Sequence, residues 1–373
     1  MNFAFSEEQE ELRRLARKWL SERSPSLVVR ELMESDSGYD PAMWADMAQM
    51  GWQGMAIPEE YGGAGFGQLE LAVLFEEMGR SLLPAPFFST VSLGSAAILE
   101  AGSDKQRHDL LSRVSAGEIT LALAFTEPNG SWDEVGIETR AEPVANGWSI
   151  NGAKSFVLDG HTADFLVVAA RSVEGVTLFL VEADTDGVGR RRLETMDMTR
   201  KQAEVTLTNV RVSEDDLIGH RGGGWAVIER VLQKAIVNLA AEQVGAAQKC
   251  LEMSVDYAKT RHQFGRPIGS FQAIKHKCAD MLVQVESAKS AAYYGAWAAA
   301  EDNEELPIVA PMAKSYCSEA FFLCASENIQ IHGGIGFTWD HDAHLYFKRA
   351  KSSELLFGDP AYHRAKLADR LGL

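Results

Sequence analysis

The chain has little of what would mark a secreted, membrane-spanning or nucleic-acid-binding protein. It has four cysteines in 373 residues, Cys250, Cys278, Cys317 and Cys324. They form no CxxC pair and no metal-ligand spacing, so neither a disulfide framework nor a thiolate metal site is expected. All four fall in stretches of helical character and read as thiols buried in a reducing compartment. No apolar run approaches the length needed to cross a bilayer. The opening residues MNFAFSEEQEEL carry neither a basic region ahead of an apolar core nor an arginine-rich transit pattern, and a cytoplasmic location is expected. Positive charge is scarce too: 36 Lys and Arg face 53 Asp and Glu, for a formal net charge of -17. That balance excludes general affinity for nucleic acid or anionic membrane, which needs clustered cations; the run Arg190, Arg191, Arg192 is too short to reverse it. Internal repeats and low-complexity tracts are also missing. What is present, 46% hydrophobic and 24% charged residues, is a globular composition with length for two or three packed units.

Periodicity divides the chain into three segments. Ser6 followed by Gln9 fits a capping box, and Leu12, Leu15, Ala16, Trp19 and Leu20 then recur on one helical face. A second helix is expected near Met43 to Met50. A third, after the glycine-rich turn YGGAGFG, carries Leu69, Leu71, Val73, Leu74 and Met78. From Ile119 the pattern changes to short apolar or alternating runs, TLALAF, WSING, DFLVVAA, VTLFLV and AEVTLTNVRV, separated by turn residues. Asn146-Gly147 is a hairpin signal that calls for positive φ at both central positions. This is a small, mostly antiparallel β domain ending near Gly219. Helical character then returns in Trp225 to about Thr260, Phe271 to Glu301, Pro307 to Ile331 and His341 to Leu356, a four-helix bundle. The stretch AAYYGAWAAA has more apolar residues than one bundle core needs, so an oligomer is expected to cover it. The expected architecture is mainly α with a middle β domain: an N-terminal helical domain (1–117), a small β barrel or sandwich (118–219) and a C-terminal four-helix bundle (220–373).

Two linear motifs stand out, RHQFGRPIGSFQ at Arg261 to Gln272 and QIHGGIGF at Gln330 to Phe337. The glycines of the second follow a helix and no strand precedes them, so they are not the dinucleotide fingerprint of a βαβ unit. On its own the stretch reads as a helix stop. Together with TEP at Thr126 to Pro128 and the order helices, β domain, bundle, the two motifs resemble the acyl-CoA dehydrogenase family over essentially the whole chain. The resemblance implies an FAD whose flavin lies between β domain and bundle and whose ADP half reaches a neighbouring subunit. On the ADP side it implicates Arg261, Phe264, Gln272, Gln330, Gly333 and Gly334; on the flavin side, Phe125, Thr126 and Phe156. A guanidinium suits a pyrophosphate, and glycines let backbone N–H groups approach it. His341 and His344 lie one turn apart without a further partner pattern, and no metal is expected.

The reaction the family implies is α,β-dehydrogenation of an acyl-CoA thioester, in which a carboxylate removes the α proton and the β hydrogen leaves as hydride. Two positions host that base in the family. Counting back from Arg261, with Gly245 and Gln248 at their expected places, one falls on Ala235; the other precedes Gly358 and is Phe357. Neither is a carboxylate, so no catalytic residue is assigned. Glu242 lies two turns from Ala235, about 10.5 Å along the axis, while Glu354 and Asp359 flank Phe357 and are candidates for a relocated base. The flavin-facing K-x-W-x-T pattern reads Lys154, Phe156, Leu158, and Leu158 cannot donate a hydrogen bond. An arginine common after the helical base position is Ile236. Two readings follow. The chain is the cofactor-completing partner of a homologous catalytic subunit in a heteromeric acyl-CoA dehydrogenase, a build used by some actinobacterial members acting on bulky, steroid-type CoA esters; or it is a self-sufficient homotetramer with a relocated carboxylate. The first explains intact ADP-side motifs beside lost catalytic groups directly. An acyl-CoA substrate and an electron-transfer acceptor are expected in either case.

Overall fold

The computed structural model describes residues 5–373, which form two compact units. One takes in the chain up to Arg30 with Gln68–Leu83 and Ile236–Leu373; the other takes in Glu31–Gly67 with Pro84–Ala235. In chain order the helices are α1 (Glu7–Arg23), α2 (Ser26–Glu34), α3 (Pro41–Gln49), α4 (Gln68–Ser81), α5 (Ala96–Ala101), α6 (Asp104–Gln106), α7 (Ser112–Ser115), α8 (Gly224–Thr260), α9 (Gln272–Ala300), α10 (Leu306–His332), α11 (Ala343–Leu355) and α12 (Pro360–Leu371).

The first unit is helical. At the start of α1 the Ser6 hydroxyl accepts the Gln9 amide at 3.2 Å and the Gln9 carboxamide oxygen accepts the Ser6 amide at 2.9 Å, the reciprocal cap read from the sequence. Ala16 and Leu20 are buried, whereas Leu15 is 52% exposed and lies off the inward stripe, contrary to expectation. Helices α4 and α8 cross backbone to backbone. A Cβ on Gly79 would lie 1.9 Å from the Glu242 carbonyl oxygen, and one on Gly245 would lie 1.7 Å from that of Glu76. The stretch AAYYGAWAAA is covered within the chain itself: Ala292, Gly295, Ala296, Ala298 and Ala299 of α9 are buried, and the Tyr293 hydroxyl donates to Glu76 at 2.9 Å. Its apolar surplus therefore does not need a neighbour. The apolar side chains this unit leaves exposed lie elsewhere and include Leu282, Val283, Phe337 and Trp339. A fifth helix, α12, follows the four expected after residue 220; Asp359 caps it by accepting the Tyr362 amide at 2.8 Å, and Pro360 opens its first turn.

The second unit holds the sheet. Its strands are β1 (Leu121–Ala124), β2 (Arg140–Val144), β3 (Gly147–Leu158), β4 (Phe165–Ser172), β5 (Gly175–Glu182), β6 (Val188–Arg192), β7 (Gln202–Val212) and β8 (Leu217–Ile218), in the order β6-β7-β3-β2-β4-β5-β8 with β1 beside β4. Pairing is antiparallel except for β1 with β4 and the single pair Arg140–Arg171 that joins β2 to β4. Alternate side chains, among them Trp148, Ile150, Leu166, Val168, Phe179, Val205 and Leu207, fill one core. The β2–β3 hairpin forms one residue earlier than expected. Val144 pairs with Gly147, so Ala145 and Asn146 are central, and neither has positive φ. Gly147 is required for another reason, because a Cβ there would lie 2.1 Å from the Val212 carbonyl oxygen. Before the sheet, Phe88–Ser95 is a fully buried π-helix running into α5.

Gly245→Ala is expected to force α4 and α8 apart and cost about 1–3 kcal/mol or more. A urea midpoint unchanged from wild type would show that the crossing can relax freely.

Candidate cofactor site

In the helical unit, α8 ends at Thr260 and Arg261 follows it, its amide closing the last turn on the Tyr257 carbonyl at 2.8 Å. Two short strands, β9 (His262–Gln263) and β10 (Arg266–Pro267), then make a hairpin whose turn is Phe264-Gly265. Both turn residues have positive φ, 53° and 77°. For phenylalanine that backbone is costly, and its ring is 91% exposed, so the isolated chain gets little packing in return. The Arg266 guanidinium instead stacks on the Phe271 ring, 4.1 Å from its centroid. Gln272 is the first residue of α9 and Gln330 lies in the last turn of α10. The side chains of Arg261, Gln272 and Gln330 are exposed and make no hydrogen bond or ion pair with described residues.

The glycines at the end of α10 are not equivalent. Gly333 caps the helix at φ 65°, ψ -142°, a backbone only glycine takes without strain. Gly334 has no such conformation, and a Cβ on it would meet nothing within 4 Å. The fold of this chain gives no reason for glycine at 334. Helix stop and open backbone thus coexist in QIHGGIGF. Behind the loop the rings of Tyr257 and His332 stack at 4.3 Å, and burial lowers the His332, His341 and His344 pKa values, keeping the rings neutral. Among the described residues no group of three or more His, Cys, Asp or Glu is placed to hold a metal.

In the sheet unit, Phe125 and Thr126 are buried. The Thr126 hydroxyl donates to the Ser155 carbonyl at 2.6 Å, and the Ser155 amide donates to the Thr126 carbonyl at 2.9 Å. Phe156 sits in a bulge of β3, where register against β7 shifts between Lys154 and Val157. It has φ 58° and is 46% exposed, while Leu158 is buried. The bulge is held by the Lys154–Glu127 ion pair at 2.6 Å, both groups buried. Burial lowers the Lys154 ammonium to about 8 against the pull of Glu127. Burial alone would raise Glu127, but Lys154 and the Thr139 amide hold it below its ordinary value. The pair is therefore ionic at neutral pH. The motif drew notice to Thr126 and Pro128, yet the residue between them, Glu127, fixes the strand.

At the expected base positions, Ala235 is fully buried, as is Ile236 after it. Glu242 is engaged by Arg349 at 2.8 Å, both side chains buried. Phe357 is buried with φ 61°. Around it, Glu354 pairs with Lys351 at 3.0 Å, and Asp359 serves as the α12 cap. The segment is tied down by a residue the sequence did not flag. The Lys314 ammonium on α10 donates to the Ser318 hydroxyl at 3.0 Å and to the carbonyls of Glu354 (3.0 Å) and Gly358 (3.2 Å), using all three of its hydrogens on either side of Phe357. Burial lowers Lys314 to about 7. The Phe357 carbonyl accepts from His363 Nε2 at 3.0 Å, and Gly358, at φ 103°, packs so closely on the Tyr362 ring that a Cβ would lie 2.3 Å away. A lysine four residues before a serine in an apolar helix was the only linear trace of this strut.

Models of the acyl-CoA dehydrogenase N-terminal, middle and C-terminal domains match residues 6–118, 122–210 and 222–372. The chain belongs to the acyl-CoA dehydrogenase family. It is 35% identical over 358 residues to the acyl-CoA dehydrogenase IpdE2 of Mycolicibacterium smegmatis, covering 95% of this chain and 96% of that protein. Among solved structures it resembles butyryl-CoA dehydrogenase of Megasphaera elsdenii, with TM-score 0.94 and 26% identity over the full length of both chains. It also resembles a chain of the ChsE4–ChsE5 complex of Mycobacterium tuberculosis, with TM-score 0.92 and 27% identity over 100% of this chain and 99% of that one. The fold class read from the sequence is that of the family, whose members are FAD-dependent oxidoreductases, and this chain is an acyl-CoA dehydrogenase-like flavoprotein. No helix among the described residues is long and apolar enough to cross a membrane.

The buried histidine beside Phe357 makes stability pH-dependent. Burial first, then the charge of Lys314, lowers His363 from 6.5 to about 3, so the unfolded chain takes up the proton first. The stabilising contribution is whole above pH 6.5 and is lost progressively as pH falls towards 3, at about 1.4 kcal/mol per unit. His161, His332, His341 and His344 act in the same direction. His363→Gln, which keeps a donor for the Phe357 carbonyl, is expected to flatten the decline in urea midpoint between pH 6.5 and 4; an unchanged slope would place the acid sensitivity in the other histidines.

Proposed function

We propose that this chain is the cofactor-completing, non-catalytic partner of a homologous catalytic subunit in a heteromeric acyl-CoA dehydrogenase acting on a bulky, steroid-type acyl-CoA. One contrast carries the reading: both expected base positions are apolar and buried, Ala235 and Phe357, while Arg261, Gln272 and Gln330 stand exposed and unpartnered beside the open backbone of Gly334. The three candidate acids support it, since Glu354, Asp359 and Glu242 are each committed to an ion pair or a helix cap. The self-sufficient homotetramer would have to break one of these. The likeness to a chain of a complex of two differently named proteins supports a heteromer. We read the segments 1–117, 118–219 and 220–373 as the working domains, with a cytoplasmic location and an electron-transfer acceptor downstream.

In this reading Arg261 binds the pyrophosphate of FAD, Phe264 packs on the dinucleotide, Gln272 and Gln330 exchange amide hydrogen bonds with it, and Gly333 and Gly334 present backbone N–H groups. These donors fit a dinucleotide diphosphate in charge and exposure. Phe125, Thr126 and Phe156 shape the flavin side, where Phe156 can cover a ring but Leu158 gives no hydrogen bond. FAD, when bound, supplies the acceptor for hydride leaving the substrate β carbon. The α proton is removed by a carboxylate of the partner, because nothing at Ala235 or Phe357 can hold it. The exposed Leu282, Val283, Phe337 and Trp339 provide apolar surface for that partner.

Purified alone, the chain is expected to carry little FAD and to show no acyl-CoA-dependent dye reduction; coexpression with a family member bearing the glutamate is expected to restore both. A yellow, fully active homotetramer would sink the idea. In the assembly, Arg261→Ala removes a charged hydrogen bond worth about 1.5–3 kcal/mol, so FAD should bind about tenfold to a hundredfold more weakly with helical content unchanged. Gly334→Ala should likewise lower flavin content while leaving the urea midpoint within about 0.5 kcal/mol of wild type. Undiminished flavin in both variants would reduce the two motifs to helix ends.

A further inference from the structure

A second group of unused donors lies in the helical unit, where α1 gives way to α2. A cavity of about 250 Å³ opens there, lined by Arg17, Ser24, Ser26, Arg80, Lys249 and Tyr346 together with the carboxylates of Glu77 and Asp342. Both carboxylates are already engaged. Glu77 is held by Arg17 at 2.7 and 2.9 Å, and Asp342 accepts from Arg30 at 2.7 Å and from the Ser26 hydroxyl at 2.6 Å. Arg80 is fixed by Glu252 at 2.6 and 2.9 Å, and the Tyr346 hydroxyl donates to the Arg80 carbonyl.

Against these satisfied groups stand donors with no acceptor. The Ser24 hydroxyl is in a residue only 3% exposed and has no hydrogen-bond partner. The Lys249 ammonium donates no hydrogen bond to any described residue. The first amide of α2 with a backbone acceptor in its own turn is that of Val29, on the Pro25 carbonyl at 3.1 Å, so the amides of Ser26, Leu27 and Val28 have no acceptor within the helix. Three cations thus line the cavity with two carboxylates, and the Ser24 hydroxyl, the Lys249 ammonium and the first-turn amides of α2 are left without an acceptor among the described residues. A buried hydroxyl, an ammonium and a helix amino terminus converging on one cavity call for an anion with several acceptor oxygens.

We propose that this cavity is a binding site for a phosphate-type oxyanion, held by Lys249, the Ser24 hydroxyl and the first-turn amides of α2, with Arg17 and Arg80 as its charged walls. The tetrahedral group offers oxygens in several directions, which a carboxylate does not, and the space exceeds what free phosphate fills, so a phosphomonoester also fits. The site is independent of the flavin reading, since none of its donors belongs to the two cofactor motifs.

The test is calorimetric titration of the purified chain, alone or in its assembly, with inorganic phosphate and with glycerol phosphate, in chloride buffer at constant ionic strength. Saturable binding of at least one is expected, weakened at least tenfold by Lys249→Met and several-fold by Ser24→Ala, with circular dichroism and flavin content unchanged. Tighter binding of glycerol phosphate would make the ester the occupant, and tighter binding of inorganic phosphate the free ion. Heat no greater than in a chloride control, or equal affinity in wild type and both variants, would overturn the proposal. If Lys249→Met failed to fold, Ser24→Ala alone would still decide.

Discussion

The helical unit depends on the contact between α4 and α8. Gly79 and Gly245 let two helix backbones touch, each under the other's carbonyl. Around this crossing three glutamates are shut away from water: Glu76 and Glu77 on α4, Glu242 on α8. A buried carboxylate needs a cation, and each has one. Arg13 reaches Glu76 at 3.2 Å, Arg17 reaches Glu77 at 2.7 Å and Arg349 reaches Glu242 at 2.8 Å. Removing one partner of such a pair strands a charge and typically costs about 3–5 kcal/mol. The crossing therefore also recruits α1 and α11, because their arginines must come to it.

The same constraint reaches the chemistry. Gly245, which seats α8 against the Glu76 carbonyl, lies on the helix that carries Ala235 and runs into Arg261. Burial raises the pKa of Glu76 more than Arg13 and Tyr293 lower it, yet its hydrogen bonds leave it no freedom to meet a substrate. Glu242, two turns along α8 from the helical base position, is committed to Arg349. Carboxylates are plentiful here, but those that are buried are structural.

Where a function is carried by a run of neighbouring residues, it could be read directly. The cap at Ser6 and the alternation in the strands are such features, because each rests on local geometry, and RHQFGRPIGSFQ and QIHGGIGF carried the likeness to the family. Groups assembled from distant segments were not legible. Lys314 acts on carbonyls of residues 354 and 358, and backbone acceptors leave no trace in side-chain chemistry. Tyr293 looked like surplus apolar surface because its partners Glu76 and Arg13 lie far away in sequence. Asn146-Gly147 misplaced a turn by one residue because the demand on Gly147 comes from β7, across the sheet, and not from the turn.

The two halves of the candidate site differ in how they meet their costs. Phe357 takes a strained backbone at φ 61°, but the cost is met inside the chain by Lys314, His363 and the close seat of Gly358 on Tyr362. Phe264 takes nearly the same strain at φ 53° with its ring almost wholly in solvent, and only the edge of the Phe271 ring, 6.0 Å away, answers it. A backbone penalty on the order of 1–3 kcal/mol persists only where its surroundings determine it. At Phe357 those surroundings are present in one chain. At Phe264 they are not, and among the described residues Arg261, Gln272 and Gln330 beside the same motifs are equally unanswered, the asymmetry on which the proposed cofactor role of this hairpin rests.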